Sequence, residues 1–208
     1  MLVCAVARAG GQSILDTAGG VPRAEARRAA VLWFTGLSGA GKSTLAEAVS
    51  RALHERAVPT ELLDGDAIRA LSPTGFSRPD RDAHVQRVGF LASRLEHHGV
   101  TVLCALISPY AGAREAVRSM CRTFLEIYVA TPLHECERRD PKGLYARARR
   151  GEIASFTGVS DPYEAPSAPD LIIDTTTMQL HAGVEAVLEL WDARTQGPPV
   201  VESLAPGR

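Results

Sequence analysis

The chemistry of this chain is concentrated in residues 36–44, Gly-Leu-Ser-Gly-Ala-Gly-Lys-Ser-Thr. The spacing fits G-x-x-x-x-G-K-[ST], the P-loop. An apolar run, Val31 to Phe34, precedes it, and a helix-like run, Thr44 to Ala52, follows it. Gly36, Gly39 and Gly41 let backbone N–H groups turn inward around phosphate oxygens, with Ser38, Ala40 and Thr44 completing the loop. The following helix points its positive end at the same anion. Lys42 can reach the β- and γ-phosphates, and the Ser43 hydroxyl can ligate Mg²⁺. These residues together predict binding of a nucleoside triphosphate with magnesium.

Three further groups could act on what the P-loop holds. Asp64 and Asp66 flank a glycine at the end of a short apolar segment. Asp-Gly is also a common turn pair. Downstream of a P-loop, such carboxylates hold a metal-bound water or orient an acceptor hydroxyl. Arg69, Arg78, Arg81 and Arg87 surround Gly75-Phe76-Ser77. Guanidinium forks suit phosphate and sulfate oxyanions, although such charges often form only a solvated helix face. Phe76 lies in a Gly-, Ser- and Pro-rich loop, where it either plugs back into the domain or stacks on a ligand ring. The stretch from Asp140-Pro141-Lys142 through Phe156 to Pro166 is basic and then Pro-containing, and reads as a long loop over the active face.

The elements that must position these residues alternate. Val31–Thr35, Thr60–Leu63, Val100–Ile107, Phe124–Val129 and Leu171–Asp174 read as strands. Thr44–Glu55, Pro79–His98, Ala113–Arg122, a segment opening at Leu133–Arg139, and His181–Ala193 read as helices, with another short one at Arg23–Arg28. This predicts an α/β fold: a P-loop NTPase-type parallel sheet with helices on both faces, in a single domain. Ligands then bind beyond the carboxyl ends of the strands, where the P-loop, Asp64-Gly65-Asp66 and Ser108-Pro109-Tyr110 all fall. The expected layout is an N-terminal arm at 1–30, the P-loop domain at 31–195 with a lid at about 142–166, and a tail at 196–208.

Bulk properties narrow the class. The 208 residues suit one domain, and 45% hydrophobic with 23% charged residues is ordinary for a globular protein. A net charge of −1 provides no global attraction to nucleic acid or to an anionic membrane. No apolar run is long enough to span a bilayer, and no basic segment precedes the short apolar patch Leu2–Ala7, so a signal peptide is not expected. Cys4, Cys104, Cys121 and Cys136 form no C-x-x-C pair and read as reduced thiols of a cytoplasmic protein.

With the P-loop, Asp64-Gly65-Asp66, Gly75-Phe76-Ser77, Asp80-Arg81, Ile107-Ser108-Pro109-Tyr110, Asp140-Pro141-Lys142-Gly143-Leu144-Tyr145, Phe156-Thr157-Gly158 and Asp161-Pro162-Tyr163-Glu164-Ala165-Pro166 in view, the chain resembles the adenylylsulfate kinases. The resemblance runs from about Val31 to about Asp174. It implies transfer of the γ-phosphoryl group of ATP to the 3′-hydroxyl of adenosine 5′-phosphosulfate, in a homodimer. It implies that Gly36 to Thr44 hold the phosphates and magnesium, that Arg139 lies near the ATP adenine, and that Asp64 and Asp66 sit near the acceptor hydroxyl and the metal. Arg69 and Arg81 would contact the phosphosulfate, and Phe76 and Phe156 would sandwich the acceptor adenine. Ile107, Ser108 and Lys142 would line the acceptor site, and in some members the serine matching Ser108 carries a phosphate. The chain departs from the family pattern on the acceptor side. Ala67 and His84 stand where asparagines are usual, Ala111 replaces a basic residue, and the loop from Arg69 to Gly75 is about two residues short. His84 can still offer a hydrogen bond, as Asn does. Two other readings follow: a kinase of this fold acting on a different small acceptor, and a nucleotide-binding subunit without turnover.

Overall fold

The computed structural model describes residues 29–71 and 75–196. The expected N-terminal arm, the Arg23–Arg28 helix, Cys4 and nearly all of the C-terminal tail lie outside the described residues.

Five parallel strands form one sheet in the order β2-β3-β1-β4-β5: β1 Val31–Thr35, β2 Thr60–Asp64, β3 Thr101–Ala105, β4 Phe124–Val129 and β5 Leu171–Ile173. Strand β1 is central, pairing with β3 on one side and β4 on the other. All its residues are buried. Successive side chains of a strand point to opposite faces. Leu32 and Phe34 accordingly join the layer formed with α1 (Lys42–Glu55) and α7 (Leu180–Thr195). Val31 and Trp33 join the layer formed with α3 (Arg78–His97) and α4 (Ala111–Arg118). Both faces need apolar residues, hence the unbroken apolar runs. The predicted fold class is the observed one. Among the described residues Cys104, Cys121 and Cys136 form no disulfide, and Cys104 and Cys136 are buried. Among the described residues no helix is long and apolar enough to cross a membrane.

Two helices depart from the sequence reading. The Asp-Gly-Asp segment opens α2 (Gly65–Leu71), so Arg69 lies on a helix. The expected long loop contains α6 (Leu144–Arg149), which follows α5 (Leu133–Arg139) after a four-residue turn. Both new helices are short, six and seven residues, and carry too few turns for an apolar periodicity to register. Local caps start them. Asp64 Oδ1 accepts from the amides of Asp66 and Ala67, and the Asp140 carboxylate accepts from those of Tyr145 and Ala146. The start of α3 is built likewise, with the Ser77 hydroxyl accepting from the Asp80 amide and Pro79 in the first turn.

Candidate active site

A cleft of about 370 Å³ opens at the carboxyl ends of β1, β2 and β3. It gathers Ser38, Gly39, Gly41, Lys42, Ser43 and Thr44 from the P-loop, with Asp64 and Asp66 from the end of β2 and the start of α2. Arg69, Phe76, Arg81, His84, Ile107, Ser108, Lys142 and Phe156 also line it. Residues more than 100 positions apart in the chain thus share one cavity. Gly36, Ala40 and Arg139 do not line it, and each has another place. At Gly36, with φ +146°, a Cβ would sit 2.4 Å from the Val129 carbonyl oxygen, so only glycine lets the loop leave β1 against β4. Ala40 is wholly buried, and its carbonyl accepts from the Thr131 hydroxyl at 2.8 Å and the Thr175 hydroxyl at 3.1 Å. Arg139 flanks the loop from outside, donating to Thr175 Oγ1 at 2.8 Å and to the Gly39 carbonyl at 3.4 Å, with Glu135 2.8 Å from its Nε. Thr131 and Thr175 support the loop and escaped the sequence reading, since nothing local marks a threonine that reaches across the fold.

The P-loop is set for anions. Gly41, at φ +102°, turns the chain into α1, so the free amides of that helix face the cleft. Lys42 is 8% exposed and its ammonium donates to the Leu37 carbonyl at 2.8 Å. Burial pushes its pKa down to about 8, with Cys136 and Asp66 opposing. A polyphosphate in the cleft would raise it again, strengthening the hold on the proton. Ser43 Oγ donates to Asp64 Oδ2 at 3.0 Å, which brings two hard oxygen donors together. Among the described residues no cluster of three or more His, Cys, Asp or Glu could hold a metal alone. The Asp66 carboxylate instead pairs with the Lys142 ammonium, which arrives from the turn between α5 and α6.

The far end of the cleft is aromatic and cationic. The guanidinium carbons of Arg69 and Arg81 lie 5.1 and 5.5 Å from the centre of the Phe76 ring. Arg69 also donates to the Gly75 carbonyl at 2.9 Å. Arg81 is 5% exposed and ties two loops together, donating to the carbonyls of Phe76 at 3.0 Å and Ser155 at 2.8 Å. Of the other arginines around Phe76, Arg78 turns away, stacking over Tyr110 at 4.2 Å and meeting Glu164 at 3.3 Å. Neither Arg78 nor Arg87 lines the cleft. His84 is buried and its Nδ1 has no protein partner. Burial, reinforced by Arg69 and Arg87, pushes its pKa down to about 4, so the ring is neutral at pH 7.

Two of the residues expected at the acceptor site are packed into the fold. Phe156 does have core partners: it is 5% exposed, belongs to the α1/α7 core, and meets Tyr145 edge-on at 5.0 Å. The residue that lacks core is Phe76, 49% exposed. The Ser108 hydroxyl is enclosed, accepting from Trp33 Nε1 at 3.1 Å and donating to Thr35 Oγ1 at 2.9 Å. Ser108 is 2% exposed, so its hydroxyl is held within this network at the cleft wall. Tyr145, the last residue of the Asp-Pro-Lys-Gly-Leu-Tyr run, donates its hydroxyl to the Ser38 carbonyl at 3.0 Å and ties α6 to the P-loop.

The sequence model of the adenylylsulphate kinase family matches residues 28–174. The chain belongs to that family. The match spans both ends of the cleft, and membership makes the chain a kinase. Relatives agree. An adenylyl-sulfate kinase of Gloeothece citriformis is 48% identical over 80% of this chain and 96% of its own length. The bifunctional enzyme NodQ of Azospirillum brasilense is 52% identical over 79% of this chain, which spans only 27% of that longer protein. The solved structure of the Mycobacterium tuberculosis APS kinase CysC in complex with AMPPNP and APS superposes with a TM-score of 0.76 at 40% identity, covering 80% of this chain and 99% of that one.

Proposed function

We propose that this kinase transfers the γ-phosphoryl group of ATP to the 3′-hydroxyl of adenosine 5′-phosphosulfate. The observation that carries the reading is the continuity of the cleft. A polyphosphate cradle and an aspartate pair occupy one end, and an aromatic shelf under two guanidinium groups occupies the other. In the reaction the acceptor oxygen forms a bond to γ-phosphorus, the bond from γ-phosphorus to the β,γ-bridging oxygen breaks, and ADP leaves. The hydroxyl proton passes to a carboxylate. Such transfers need positioning and charge neutralisation more than covalent help.

The residues divide the work by place. P-loop amides and Lys42 neutralise charge on the phosphates. Ser43 and Asp64, 3.0 Å apart, are the groups that would hold magnesium, directly or through its water. The chemistry magnesium would supply there is neutralisation of phosphate charge. Asp66, paired with Lys142 and not with Ser43, is the aspartate assigned to the acceptor hydroxyl. Arg69 and Arg81 meet the phosphosulfate, and Phe76 and Phe156 hold the adenine between them. His84, Ile107 and Ser108 line the same end. Arg139 borders the ATP site behind the P-loop. The segment from about Lys142 to Pro166 serves as the lid. A cytoplasmic homodimer completes the reading, resting on the resemblance alone.

The test is direct. Protein incubated with ATP, Mg²⁺ and adenosine 5′-phosphosulfate should yield the 3′-phosphorylated product by mass. If none forms while a metabolite without adenine is phosphorylated, the acceptor assignment falls and the departures at Ala67, His84 and Ala111 explain it.

The aromatic pair supplies a sharper check. Stacking on an aromatic side chain is worth about 1–3 kcal/mol per base. Phe76→Ala removes an exposed ring, so the acceptor KM should rise about tenfold while the melting temperature and the ATP KM hold. Phe156→Ala should also destabilise the fold, by about 3–5 kcal/mol, because it empties a core position. Unchanged acceptor KM in Phe76→Ala, measured by initial rates, would remove Phe76 from the acceptor site.

A further inference from the structure

Arg114 lies outside every motif that the sequence singles out, yet it is the most heavily engaged buried cation beside the cleft. It is 3% exposed on α4. Each nitrogen of its guanidinium donates to a different element. Nε meets Glu126 Oε1 at 2.7 Å on β4, Nη1 meets the Ser108 carbonyl at 2.8 Å, and Nη2 meets the Glu164 carbonyl at 2.8 Å. Glu126 is itself buried and takes a second cation, Arg118, at 2.9 Å.

The two carbonyls held by Arg114 belong to segments that matter to the cleft. Ser108 has φ +39°, a conformation that non-glycine residues rarely hold without outside support. Its neighbours Ile107 and Pro109 line the cleft with it. Glu164 closes the Asp-Pro-Tyr-Glu run at the downstream end of the 142–166 segment. That run is fastened to the cleft wall elsewhere as well. The Glu164 amide donates to the Pro109 carbonyl at 2.8 Å, and Glu164 Oε2 accepts from the Ala111 amide at 2.8 Å. Tyr110 donates to Asp161 at 2.6 Å, and the hydroxyls of Tyr163 and Thr35 meet at 3.0 Å.

We propose that Arg114 is a positioning residue for the acceptor, its fork clamping the strained Ile107–Pro109 wall of the cleft to the 161–164 run. Glu126 supplies the charge that keeps the guanidinium oriented. Lysine preserves that charge but presents a single ammonium, without a planar fork to span both carbonyls. The clamp sits at the acceptor end and touches no P-loop residue, so its loss is felt in acceptor binding and not in ATP binding. This last consequence rests on the acceptor reading given above.

Two measurements on Arg114→Lys separate the clamp from that reading. The amides of Ala111 and Glu164 report the clamp without any substrate. Their hydrogen exchange should quicken about tenfold or more in the variant, with β1 and α1 unchanged. Initial rates should then show the acceptor KM raised about tenfold and the ATP KM within about twofold of wild type. Should Arg114→Lys fail to fold, the double variant Arg114→Met, Glu126→Gln removes the fork and its counter-charge together and takes its place in both measurements. Unchanged exchange at Ala111 and Glu164 overturns the clamp. Faster exchange with both KM values unchanged, or with both raised alike, overturns the positioning role. If wild-type protein does not turn over adenosine 5′-phosphosulfate, the acceptor reading fails by itself, and exchange alone decides the clamp.

Discussion

Replacing Lys42 by alanine is expected to lower kcat by about 10²-fold or more, because a transition-state charge contact is lost from the end of the cleft where the phosphates lie. The variant should be folded and at least as stable as the parent at pH 7. Burial lowers the Lys42 pKa from 10.5 to about 8, so the folded protein holds this proton less tightly than the unfolded chain does. The charged side chain therefore disfavours folding at every pH below about 8, and that penalty fades only as the pH rises toward 10.5. Removing it forfeits the attraction to Cys136 and Asp66 and the hydrogen bond to Leu37, which together weigh less than the cost of burying the charge. Thermal melting at pH 7 and single-turnover assays at saturating ATP check both halves. Near-normal turnover would sink the P-loop assignment. Lost turnover together with a collapsed melting temperature would mean that the lysine is structural.

The second large effect falls on the aspartates. Asp64→Asn should cut kcat by about 10²-fold, since it removes the negative charge 3.0 Å from Ser43 while leaving an amide oxygen for the Asp66 and Ala67 amides. The start of α2, and so the placement of Arg69, should survive. Asp66→Asn should be similarly slow for another reason, the loss of the carboxylate assigned to the acceptor hydroxyl. Its stability should hardly change, because the Asp66–Lys142 pair is 71% and 58% exposed and such pairs are worth about 0–1 kcal/mol. The division of labour predicts that magnesium dependence shifts in Asp64→Asn and not in Asp66→Asn. If both variants remain fully active, Asp64-Gly65-Asp66 is a turn and a helix cap only. If both shift the magnesium dependence equally, the two carboxylates do not have separate tasks.

Much of this site is legible in the sequence because its chemistry is local. The P-loop needs glycines, a lysine and a hydroxyl at fixed spacing along one turn, so nine residues spell it out. The parallel sheet is legible because strands buried on both faces must be apolar without interruption, and Val31–Phe34 and Val102–Ala105 are. Asp64, Asp66, Phe76, Arg69 and Arg81 are legible as candidates because carboxylates, an aromatic and arginines in a polar segment have little to do in a core. Tertiary structure alone decided what those candidates touch. It set Asp64 against Ser43 and Asp66 against Lys142, buried Phe156 against Tyr145, and left Phe76 open. It also exposed the clamp, in which Arg114 gathers partners 6, 12 and 50 residues away. Spacing along the chain records the first kind of information because neighbouring residues share one backbone conformation. Contacts across the fold leave no such record, since a buried arginine or threonine is chosen for a partner whose position only the packed sheet and helices define.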